Sequence, residues 1–216
     1  MRNYKLLIFA LFLSSTLSAQ QIYSEIANST TNFEFLNSDG VAYSSFHAES
    51  NNSISIGYIH KLQNQKGLSA YAGLSYAGFS AIGSDTTYNN YISYSLSYAQ
   101  LNFGLEQQVD ELLDGDVKFY VKGHVSTGIM VNGSQTLNSN VYDVKDHDDF
   151  GTILLSGLVG GKVSLAISDR SSIYTQFMYG INDPIPVDRT ADIERVRMTS
   201  AILSLGVVVN LIKKSS

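Results

Sequence analysis

The chain has 216 residues, a formal net charge of −5, only 15% charged residues and 44% hydrophobic ones. That composition is too apolar for a disordered chain and offers no basic surface to nucleic acid. The absence of cysteine excludes disulfides, thiolate metal sites and a lipoprotein anchor.

Taken in order, Arg2 and Lys5 precede an apolar run over residues 6–13 and then Ser18-Ala19-Gln20, the layout of a secretory signal peptide over residues 1–19. No later run approaches the roughly 18 apolar residues of a transmembrane helix. Residues 20–40 read as an N-terminal segment ahead of a domain covering 41–216. The first strand is either the segment 33–36 or that from 41 to about 49, and the second is preferred. Residues 53–62 alternate, with Ile54, Ile56, Tyr58 and Leu62 on one face. Residues 68–82 carry Leu68, Ala70, Ala72, Leu74 and Tyr76 in one phase.

After a polar loop at 83–90, residues 91–109 hold Ile92, Tyr94, Leu96 and Tyr98 in the even phase and Leu101, Phe103 and Leu105 in the odd phase. A change of phase predicts a β-bulge near Ala99 or Gln100. The alternative is that the outer part of this strand projects beyond a membrane, where neither face must be dry. Asp114-Gly115 marks a tight turn. The stretch 117–131 then places Val117, Phe119, Val121, Val125, Ile129 and Val131 on one face, with Lys118, Tyr120, Lys122, His124 and Ser126 on the other. A polar segment at 132–149 leads to a strand with Ile153, Leu155, Val159, Val163, Leu165 and Ile167 in phase. A turn at 168–171 joins it to residues 172–181, with Ile173, Phe177, Tyr179 and Ile181 in phase. A second long segment, 182–197, precedes the last strand, 199–212.

The expected fold is all-β, an eight-stranded antiparallel up-and-down transmembrane β-barrel. Its connections alternate short and long, as they do when turns lie on one side of an outer membrane and loops on the other. A lipocalin-like barrel would reverse the faces and carry charge outside, which these strands lack. A lysine facing lipid near the midplane costs about 2–4 kcal/mol. The face bearing Lys118, Lys122 and Lys162 must therefore look inward or lie near an interface. With the turn centred near Leu112, Glu106 falls opposite Lys118, Asn102 opposite Lys122 and Gln100 opposite His124. Glu106, Lys118, Lys122, His124 and Lys162 are the expected lumen polar network, and eight strands leave no room for an open channel.

The segment GLVGGKVSLAISDRSSIYTQFMYGI from Gly157 to Ile181, with SAILSLG from Ser200 to Gly206 and the Ser-Ala-Gln leader end, resembles the outer-membrane β-barrel domains common in Bacteroidetes, including the PorT-like group. The resemblance covers about the last 120 residues, a span within one domain's size. It implies an outer-membrane location and an eight-stranded barrel, and it supplies no catalytic residue. One departure is the end of the chain, Leu211-Ile212-Lys213-Lys214-Ser215-Ser216, where such strands often finish on an aromatic residue.

Three constellations bear on chemistry. His124 and Ser126 share one strand face, as in the His-x-Ser pair of eight-stranded lipid A deacylases, and a base in reach of a hydroxyl supports nucleophilic catalysis. The rest of that motif is missing after the serine, and both residues read as lumen polar groups. Asp143, Asp146, His147, Asp148 and Asp149 crowd one loop without calcium-loop spacing, so no metal is expected. Tyr58, Tyr76, Tyr94, Tyr98 and Tyr179 read as an interfacial girdle. The expected protein is a small closed outer-membrane barrel, not an enzyme, with no cofactor and no nucleic-acid partner. It contacts outer-membrane lipid and lipopolysaccharide and uses its loops to bind an envelope partner, if it has one. A lipid A-modifying hydrolase and a subunit of a secretion or transport complex stand as alternatives.

Overall fold

The computed structural model describes residues 21–36, 42–43, 46–62, 67–85, 90–145, 153–185 and 195–211. The expected signal peptide and residues 146–149 of the acidic loop lie outside them. Ten strands follow in chain order: β1 (Gln21–Leu36), β2 (Ala42–Tyr43), β3 (Phe46–Lys61), β4 (Leu68–Asp85), β5 (Asn90–Leu112), β6 (Val117–Leu137), β7 (Asn140–Asp143), β8 (Ile153–Ser168), β9 (Ser171–Ile185) and β10 (Arg195–Asn210). Each long strand pairs antiparallel with its neighbour, and β10 pairs with β1 from Gln21↔Asn210 to Leu36↔Arg195. The sheet therefore closes on itself as a barrel of eight long strands. The short β2 and β7 extend β1 and β6 at the long-loop end.

Polarity is inverted relative to a soluble barrel. Along β6, Val121, Val125 and Ile129 point outward at 56–60% exposure, while Lys122 and Ser126 are buried inside. The same alternation runs through β8 and β9, where successive side chains point to opposite faces of the pleat.

Several expectations need correction. Among the described residues the barrel begins with Gln21, not near residue 41: β1 is part of it, held on both edges by β10 and β3. The segments expected as separate strands at 41–49 and 53–62 fall largely within the single strand β3. Residues Glu49, Ser50, Asn51 and Asn52, where the two expected strands part, pair with β1 as one continuous run, while the β3–β4 register shifts between Ala48 and Ser53. The count of eight holds because this merger offsets the missed β1.

The bulge expected near Ala99 is not in β5. Even positions Tyr94, Leu96, Tyr98, Gln100, Asn102 and Glu106 are all buried, so the inward phase does not change between Tyr94 and Glu106. The lumen itself changes, from apolar at the long-loop end to polar below, while Leu101, Phe103 and Leu105 face outward. The irregularity belongs to β6: Ser97 pairs with Asn132 but Tyr98 with Met130, leaving Val131 as the extra residue.

The turn is also centred later than expected, with only residues 113–116 between the paired strand ends. Leu113, Asp114 and Gly115 all take positive φ, and Leu112 pairs with Val117. That places Lys118 opposite Glu111, Lys122 opposite Glu106, and His124 opposite Gly104. The expected pairs Glu106–Lys118, Asn102–Lys122 and Gln100–His124 are displaced accordingly. The long segments are shorter than they read, because β4, β6 and β9 continue to Asp85, Leu137 and Ile185.

Candidate functional site in the barrel lumen

The lumen is layered. At the long-loop end Phe33, Phe79, Tyr94, Leu96, Tyr98, Met130, Leu154 and Met198 form an apolar cap. At the short-turn end Tyr23, Ile59, Tyr71, Tyr174 and Val208 form a smaller cluster. Tyr94 and Tyr98 thus belong to the cap and not to an external girdle, whereas Tyr58, Tyr76 and Tyr179 do face outward.

Around the smaller cluster runs a chain of charged and amide groups. Glu106 of β5 receives Lys162 of β8 at 2.5 Å and lies 3.9 Å from Lys122 of β6. Lys122 donates to Gln176 Oε1 at 2.6 Å, and Gln176 Nε2 donates to Glu25 Oε2 at 2.7 Å. Tyr174 donates its hydroxyl to the same Glu25 oxygen at 2.8 Å, and Ser55 donates to Glu25 Oε1 at 3.3 Å. The ammonium of Lys122 also sits 4.4 Å from the centre of the Tyr71 ring, and that of Lys162 sits 4.2 Å from Tyr120. Two lysines thus share the Glu106 carboxylate, and Lys122 reaches Glu25 through Gln176. Buried charges need this pairing, because a lone one would face the full desolvation cost.

Glycines make room for the tyrosines. A Cβ on Gly206 would meet the Tyr174 ring, and one on Gly104 would meet Tyr71. Close approach of an aromatic ring to the backbone of a neighbouring strand explains the missing side chain at both positions.

Of the expected lumen residues, Glu106, Lys122 and Lys162 meet in one cluster. His124 lies beside it: its Nδ1 is 3.2 Å from the Tyr71 hydroxyl, and the two rings are in tilted contact. Lys118 is half-buried nearer the β5–β6 turn, in register with Glu111 and Ser164. Ser126 is buried and pairs in register with Asn102 and Ser156. The His-x-Ser pair therefore faces the lumen, away from any lipid on the outer face. A cavity of about 80 Å³ remains, with Gln100, Asn102, His124, Ser126 and Ser156 in its wall. At roughly 10–15 Å³ per water centre it accommodates a few waters.

Glu25, Tyr23, Tyr71, Tyr174 and Gln176 were missed as site residues. Glu25 was hidden because β1 has no apolar face to mark it as a strand: Ser29 and Thr31 point in while Ser24, Asn28, Thr30 and Asn32 point out. The tyrosines were readable only as alternation. The signal that could have found them is a glycine on the strand next to each ring.

No protein-family model matches the chain, and no curated protein matches it. Among solved structures it is similar to Neisserial surface protein A, at 13% identity and a TM-score of 0.49 over 88% of this chain and 97% of that one. It is also similar to Ail, the attachment invasion locus protein of Yersinia pestis, at 10% identity and a TM-score of 0.40 over 88% and 99% of the two chains. The outer membrane protein AlkL in lipid bilayers is similar at 12% identity and a TM-score of 0.45 over 92% and 93%.

Proposed function

We propose that this chain is a small closed outer-membrane β-barrel without enzymatic activity, whose long-loop end serves as a binding surface. The observation that carries the reading is the inverted polarity. Isoleucine, leucine, valine and phenylalanine side chains stand exposed around the outside, while Lys122 and Lys162 are buried inside around the single carboxylate of Glu106. An apolar exterior of this extent on a closed sheet matches a lipid solvent. With the lumen filled, specific recognition falls to the connections at 86–89, 146–152 and 186–194 and to the β6–β7 extension, since variable connections on a rigid scaffold carry function. The finer placement in the Bacteroidetes PorT-like group, and with it a role in a secretion or transport complex, rests on the sequence patterns of residues 157–206.

The lipid A hydrolase alternative loses its geometric support, because His124 turns Nδ1 to Tyr71 inside a closed lumen. The deciding experiment is membrane fractionation combined with a gel of unheated and boiled protein. The barrel should fractionate with outer membranes and shift mobility on boiling. A soluble product with no heat shift would refute the proposal.

A further inference from the structure

The outward apolar surface is not equally tall around the barrel. On β8 every outward position from Ile167 to Ile153 is apolar or glycine. On β1 the last apolar outward position is Ile26, after Ile22 and the exposed Ser24, and the next outward positions, Asn28, Thr30 and Asn32, are exposed and polar. β3 repeats the pattern, with exposed Ile56 and Ile54 followed by exposed Asn52 and Ser50.

This strip lies within the height of the apolar surface, because Asn28 is in register with Leu203 of β10, which is 61% exposed. Within it Asn28 Nδ2 donates to Asn52 Oδ1 at 3.2 Å, and the Thr30 and Ser50 hydroxyls are 3.3 Å apart. These cross-strand pairs use only part of each group's hydrogen-bonding capacity. Further round the barrel the outward face of β5 carries Ser97, Ser95 and Ser93 toward its long-loop end. The strip is therefore a lowered edge of the polar exterior and not an enclosed island. An island is what a second barrel docking inside the membrane would require.

We propose that the β1–β3 strip seats the saccharide headgroup of an outer-leaflet glycolipid, with its acyl chains lying along Ile26, Ile54 and Leu203. The inference rests on the outer-membrane reading with the long-loop end outward. The ladder of Asn28, Thr30, Ser50 and Asn52 carries amides and hydroxyls but no charge, which matches sugar hydroxyls better than a phosphate. The strip is continuous with the lipid-facing surface, so its occupant belongs to the same lipid layer.

The test reconstitutes the full chain into vesicles holding equal amounts of rough lipopolysaccharide and phosphatidylglycerol, extracts it in mild detergent and weighs the retained lipid by native mass spectrometry. The wild-type barrel should retain lipopolysaccharide about fivefold over phosphatidylglycerol, the scale of one net hydrogen bond. The N28L/T30L variant, which extends the apolar surface and keeps the lumen, should lose that preference, while I129L keeps it. A heat-modifiable wild-type barrel with no preference overturns the inference. So does an N28L/T30L variant that keeps the preference, or a two-chain species without glycolipid. A chain that fails to insert at all overturns the outer-membrane reading and this inference with it.

Discussion

Replacing Glu106 by Gln tests the lumen cluster directly. Glu106 is 3% exposed, and it faces Lys162 at 2.5 Å and Lys122 at 3.9 Å, both lysines themselves buried. Removing the carboxylate leaves Lys162 without its counter-charge, while Lys122 keeps Gln176. Breaking one side of a buried pair costs about 3–5 kcal/mol, a large share of a typical 5–15 kcal/mol stability. Removing both sides at once, with Glu106→Gln and Lys162→Met together, should be much milder, because no uncompensated charge remains at that contact. The assay is urea unfolding of the reconstituted barrel followed by far-ultraviolet circular dichroism, since the chain has no tryptophan to report by fluorescence. A coupling energy of about 2 kcal/mol or more is expected from the double-mutant cycle. If Glu106→Gln alone shifted stability by less than about 0.5 kcal/mol, the range of an inconsequential surface change, the cluster would not be a paired buried network.

Three further outcomes follow from the same structure. Gly104→Ala drives a methyl into the Tyr71 ring and should destabilise by about 1–3 kcal/mol, whereas Gly123→Ala, with nothing within 4 Å of the added carbon, should be nearly neutral in the same unfolding assay. Val125→Lys places a charge on the outward face, where Val125 is 59% exposed; it should cost about 2–4 kcal/mol in bilayers, and a neutral result would argue against a lipid-facing β6. His124→Ala should leave the lipid A acylation pattern of the host unchanged by mass spectrometry, and a lost acyl-chain modification would revive the hydrolase alternative.

Much of the architecture was legible because one physical rule, the two-residue period of a strand between unlike solvents, recurs along the chain. It marked the outward faces of β6, β8, β9 and β10 correctly from residues such as Val125, Val159, Phe177 and Leu205. The rule failed where its contrast vanished. β1 has Ser, Thr and Asn on both faces, so no pattern separates strand from loop there. In β5 the lumen is apolar around Leu96 and polar around Glu106, so a stretch of constant phase looks like one with an inserted residue.

The sequence by itself determined which faces of most strands are dry and the need to hide Lys122 and Lys162. These follow from local periodicity and from the cost of charge in an apolar medium. Only the tertiary structure decided what the lysines meet. The turn after Leu112, together with the register shift that leaves Val109 as an extra residue in β5, sets Glu106 across from Lys122, and barrel closure brings Glu25, 151 residues away from Gln176, into the same network. Register and closure are properties of pairing between distant segments, and a period of two carries no information about which segments pair.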